Sequence, residues 1–116
     1  MNLLKIILIT LGAIAQFGFA FYNTALAVDI NNGAKIFTNN CASCHIGGGN
    51  ILLPKKNLGK AALSEYLENY DTNSLQAIIY QVTNGKNAMP AFKNKLTEPD
   101  ILEVATFVFQ QAEQGW

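Results

Sequence analysis

The sequence predicts an all-α domain built from four helices. Three observations carry that prediction. Apolar residues recur at helical spacing in four separate segments. Cap residues or breakers mark the ends of most of these segments. No stretch alternates polar and apolar residues as a half-buried strand would. A chain of 116 residues has room for one such domain.

The chain opens with a segment outside the domain. Residues 1–27 contain 19 hydrophobic residues, about 70%, and residues 28–116 contain 39 of 89, about 44%. The first segment carries one cation, Lys5, then the apolar run 6–14, and closes at Ala25–Leu26–Ala27. A basic start, an apolar middle and an A-x-A ending predict a secretory signal peptide cleaved after Ala27. A retained membrane anchor is disfavoured, because Gln16, Gly18 and Asn23 interrupt the run and polar chain follows at once. The segment has no Arg and little Ser, unlike a plastid transit peptide. The working domain is therefore expected to be residues 28–116.

The first helix is expected over about 30–40, with Asp29 as N-cap and with Gly33 and Phe37 one turn apart on one face. Gly47–Gly48–Gly49–Asn50 reads as a flexible loop, and Ile51–Leu52–Leu53–Pro54 as an apolar extended stretch. A second helix is expected over about 60–69, with Leu63, Tyr66, Leu67 and Tyr70 at helical spacing. The third begins near Asn73, whose spacing to Gln76 resembles a capping box, and ends at Asn84–Gly85. Its apolar stripe is Leu75, Ile78, Ile79 and Val82. The fourth begins at Thr97, with Asp100 three residues on and Pro99 in the first turn, and Gly115 ends it. Ile101, Leu102, Ala105, Val108 and Phe109 are its expected core face.

The two cysteines and the lone histidine fall together as Cys41–Ala42–Ser43–Cys44–His45. C-x-x-C-H is the attachment pattern of a covalent c-type haem. Thiols three positions apart can reach the two vinyl groups of one porphyrin, and the next residue can place an imidazole nitrogen on the iron. A structural disulfide would leave His45 unexplained. A redox dithiol would want a βαβ pattern. A zinc site would want a fourth ligand, and the chain has no further Cys or His.

The domain holds one methionine, Met89, in Asn87–Ala88–Met89–Pro90. A lone Met is often core filler. Met89 instead sits in a loop after Gly85, with Pro90 fixing the backbone beyond it. It is the candidate second axial ligand. His/Met ligation fills both axial positions and raises the reduction potential. An iron so filled leaves no place for substrate, so electron transfer is expected rather than enzymatic catalysis. Four helices over 89 residues make a thin core, which a haem would complete. Ile51, Leu52, Leu53, Leu58, Tyr80, Phe92 and Leu96 are candidates to wall it, and Pro54 O is the expected acceptor for His45 Nδ1–H.

Charge adds little. Residues 28–116 carry seven Lys and eight acids, a net of −1, with no basic excess to favour nucleic acid.

Cys41–His45, the glycine loop, Tyr80–Gln81–Val82–Thr83–Asn84–Gly85–Lys86, Asn87–Ala88–Met89–Pro90–Ala91–Phe92 and Gln114–Gly115–Trp116 closely resemble the cytochrome c6 family. The resemblance spans residues 28–116. It implies a class I cytochrome c fold, with four helices around one covalently bound haem c. Cys41 and Cys44 would be the thioether positions, and His45 and Met89 the axial ligands. It implies a soluble, monomeric shuttle of the thylakoid lumen, passing electrons from the cytochrome b6f complex (cytochrome f) to photosystem I. In some cyanobacteria the family also serves a respiratory terminal oxidase. Gln81 matches a glutamine near the haem of the photosynthetic members; a related plant group has an apolar residue there and a lower potential. Gly33, Phe37 and Phe107 match a close contact of the first and last helices. Lys93 and Lys95 stand where many cyanobacterial members carry an Arg. A lumenal signal without a transit peptide implies synthesis in a cyanobacterium or from a plastid genome.

Overall fold

A computed structural model describes residues 27–116; the expected signal peptide, except Ala27, lies outside the described residues. Five helices follow in order: α1 (Ile30–Asn40), α2 (Ala42–His45), α3 (Lys60–Tyr66), α4 (Ser74–Asn84) and α5 (Glu98–Gln114). Short 3-10 turns occupy Ile46–Gly48 and Pro54–Lys56. No strand forms among the described residues, so the all-α class holds; one isolated bridge pairs Lys86 with Met89.

Helix α1 starts where its cap sits: Asp29 Oδ1 accepts from Asn32 N–H at 3.0 Å. Its buried face is Gly33, Ile36 and Phe37, and it packs across α5. The crossing depends on Gly33. A Cβ there would lie 2.3 Å from the Glu103 carbonyl oxygen and 3.1 Å from Phe107 Cβ. The two backbones therefore touch at this point. The Phe37 and Phe107 rings meet beside it at a tilt of 52°, with centroids 5.4 Å apart.

Helix α5 is the spine of the domain. Thr97 and Asp100 exchange side-chain-to-backbone hydrogen bonds, a complete capping box, and Pro99 occupies the first turn. Its buried stripe is Ile101, Val104, Ala105, Val108 and Ala112. The expected stripe was rotated slightly: Leu102 is exposed and Phe109 half-buried, while Val104 and Ala112 lie inside. Two helices pack on this one, α1 and α4, which widens the buried arc toward small residues. Val104 is fully buried; removing a valine side chain from water contributes about 1.5–3 kcal/mol.

Helix α4 spans the expected residues, with Gly85 at φ 65° closing it; of the expected capping box only one half forms, Asn73 Oδ1 accepting from Gln76 N–H. Helix α3 is shorter than the periodicity predicts. Leu67 is already extended at φ −92°, ψ 116°, and Asn69 takes a left-handed turn at φ 64°. Asparagine tolerates that region better than most residues. The turn still delivers Tyr70 to the core at 2% exposure, so the apolar spacing reported burial correctly and helix length incorrectly.

Candidate haem site

The C-x-x-C-H segment is a single helical turn. Cys41 caps α1 through its N–H to Phe37 O. Cys41 O then accepts from Cys44 N–H at 3.1 Å and from His45 N–H at 2.9 Å. Residues three apart on one turn share a face, and both cysteines line the same cavity. No disulfide joins the two. Before any attachment, burial pushes the Cys41 thiol up to about 11. Among the described residues no group of three or more His, Cys, Asp or Glu is placed to hold a metal ion by itself.

His45 Nδ1 lies 2.8 Å from Gly49 O. A carbonyl oxygen only accepts, so Nδ1 carries the proton and Nε2 keeps its lone pair for a metal. The expected acceptor, Pro54 O, is corrected to Gly49 O; Pro54 O instead accepts from Asn57 Nδ2 at 3.3 Å. The glycine run makes this local contact possible. Gly47 and Gly48 take φ 59° and 78°, bending the chain so that the carbonyl four residues on reaches the ring. The loop is thus a shaped turn with Gly48 buried, rather than a loose connection.

Met89 is presented by a tight turn. Lys86 N–H donates to Met89 O and Met89 N–H to Lys86 O, each at 3.0 Å, with Asn87 at φ 53° between them. Gly85 makes room below: a Cβ there would lie 2.5 Å from Met89 O. Gln81 Nε2, on α4, donates to Met89 Sδ at 3.7 Å.

Cys41, Cys44, His45 and Met89 all line one cavity of about 330 Å³. Of the expected wall residues, Leu52, Leu53, Leu58 and Phe92 line it. Ile51, Tyr80 and Leu96 are absent from the lining, which corrects their assignment. Tyr80 is 71% exposed, because it lies about 200° round α4 from buried Ile78. Phe37, Leu63, Ile78, Val82, Val104 and Val108 are among the further residues of the wall. Helical spacing places all of these but Val104 on an inner face, and none of them on a cavity, since spacing alone cannot say which end of a stripe faces an opening.

The residues fit a covalently attached porphyrin. Two thiols stand on one turn, an imidazole is held in the metal-binding tautomer, a thioether sulfur lines the same space, and the remaining wall is largely apolar. An all-helical domain closed round such a cavity is a small c-type cytochrome. The comparisons narrow this. A family described as "Cytochrome C oxidase, cbb3-type, subunit III" matches residues 28–108. Cytochrome c6 of Petalonia fascia is 54% identical over 89 residues, 77% of this chain and 100% of that one. Cytochrome c6 of Nostoc sp. strain PCC 7120 is 53% identical over 112 residues, 97% of each chain. The crystal structure of cytochrome c6 from the diatom Phaeodactylum tricornutum superposes with a TM-score of 0.72 at 49% identity, covering 76% of this chain and 99% of that one. The chain belongs to the cytochrome c6 family, and it is an electron carrier with one covalently attached c-type haem.

Proposed function

We propose that residues 28–116, released by cleavage after Ala27, shuttle single electrons in the thylakoid lumen from the cytochrome b6f complex to photosystem I. Cys41 and Cys44 would hold the haem as thioethers, and His45 and Met89 would ligate its iron. The convergence of these four side chains on one largely apolar cavity carries this reading. The bound haem supplies a one-electron couple. The protein's part is to keep the ligands still. The Gly49 carbonyl fixes the His45 ring, and the Lys86–Met89 turn with Gln81 fixes the thioether. Small reorganisation on electron exchange suits a carrier.

Length supports the cleavage. The matched relative from Petalonia fascia is covered completely by 89 residues, the length left when 27 are removed from 116. A carrier that must leave each partner quickly needs only a small, weak interface.

A second reading keeps the chemistry and changes the acceptor to a respiratory terminal oxidase. The description of the matching family, an oxidase subunit, favours it. Oxidation of the reduced protein by photosystem I particles and by oxidase-containing membranes tests both. Fast oxidation by photosystem I supports the first reading, and oxidation by the oxidase membranes alone would overturn it.

A further inference from the structure

Trp116 follows Gly115, whose φ of 95° ends α5. Its indole meets Phe37 at 5.1 Å and Phe107 edge-on at 5.9 Å between centroids. Those contacts alone would make it core packing. Two others reach the haem loop. Indole Nε1 donates to Leu58 O at 2.9 Å. The ring also lies against the Cα of Gly48, so closely that a Cβ there would stand 2.2 Å from two indole carbons.

These contacts join a chain. Leu58 N–H donates to Gly48 O at 2.7 Å. Gly49, the next residue, offers the carbonyl that accepts from His45 Nδ1 at 2.8 Å. Three consecutive glycines, two at positive φ, have little stiffness of their own. Held between Leu58 and the indole, the loop keeps one shape.

We propose that Trp116 is a positioning residue for His45, acting through Leu58 and Gly48 to keep the Gly49 carbonyl on the imidazole. The inference rests on His45 being an axial ligand and adds what sets its orientation. An imidazole that donates through Nδ1 is a stronger metal donor. Releasing the loop weakens that donation and raises the reduction potential.

The test uses the haem-loaded protein with Trp116→Phe, which keeps a ring and loses the donor, and Trp116→Leu, which loses both. Three quantities are read: the reduction potential, hydrogen exchange of the Leu58 amide, and exchange of the Val104 amide as a core reference. The expected result is a raised potential in both variants, larger in the leucine. Leu58 exchange should quicken by about tenfold in Trp116→Phe, the scale of one lost hydrogen bond, with Val104 unchanged. Gly48→Ala, which crowds the indole from the other side, should reproduce the pattern. Variants with the parent potential, in which Leu58 and Val104 exchange change together, would show packing alone and overturn the proposal. Proton NMR of the parent separates the two levels. Iron-shifted His45 ring signals establish ligation, so unmoved variants then count against the positioning role only. A parent without such signals would overturn the ligand reading and this inference with it.

Discussion

The side-chain amide of Gln81 donates to the Sδ of Met89 across 3.7 Å, linking the middle of α4 to the turn beyond its end. A thioether has more than one lone pair, so this bond still leaves Met89 free to face a metal. With Met89 as the proposed ligand, the bond would also withdraw electron density from the sulfur and make it a weaker donor to oxidised iron. Gln81→Val is therefore expected to lower the reduction potential in a redox titration. Its stability should change by less than about 1.5 kcal/mol, since Gln81 is half-buried and the bond to sulfur is weak. An unchanged potential would remove Gln81 from the site.

The close crossing of α1 and α5 makes a second prediction. Gly33→Ala drives a methyl into the Glu103 carbonyl, a backbone atom that cannot swing aside. Overpacking of this kind costs about 1–3 kcal/mol. Denaturant unfolding of the haem-loaded variant should show a lower midpoint with a near-normal potential, because the crossing does not touch the ligands.

A haem-free chain should not hold this fold. Without haem the largely apolar walls of this cavity, Val104 and Val108 among them, lose the partner they pack against. A small domain with a thin core has little stability to spare for that loss. The double variant Cys41→Ser/Cys44→Ser, which cannot form thioethers, is expected to show little helical circular dichroism without haem. Full native helicity would contradict the view that the haem completes the core.

The amino end of α5 gives a local test. Thr97→Ala removes the hydroxyl that accepts from Asp100 N–H. The expected loss is about 1 kcal/mol, read by thermal or denaturant unfolding, with the potential unmoved.

Much of this architecture is legible in the sequence because its signals are local. Asp29, Asn73 and Thr97 announce three helix starts, and all three cap their helices, though Asn73 with Gln76 makes only half of the expected capping box. Cys41, Cys44 and His45 are adjacent, and Met89 is the only methionine in residues 28–116, so the site residues needed no tertiary information to nominate. Errors arose where tertiary contact decides. The inner arc of α5 turned toward Val104 and Ala112 because two helices press on it. Helix α3 stopped early because Asn69 accepted a left-handed turn. The His45 acceptor was misplaced because the partner depends on how three glycines bend. Trp116 resembled a family tail in sequence, and only the fold shows it against Gly48 and Leu58.

The central claim is that Met89 and His45 together close both axial positions. Carbon monoxide binding to the reduced protein at neutral pH, for the parent and for Met89→Ala, tests it most directly. The account predicts a parent that takes up no carbon monoxide, and a variant that binds it readily and has a sharply lower potential. A parent that binds carbon monoxide, or a Met89→Ala variant with the parent's potential, would contradict it.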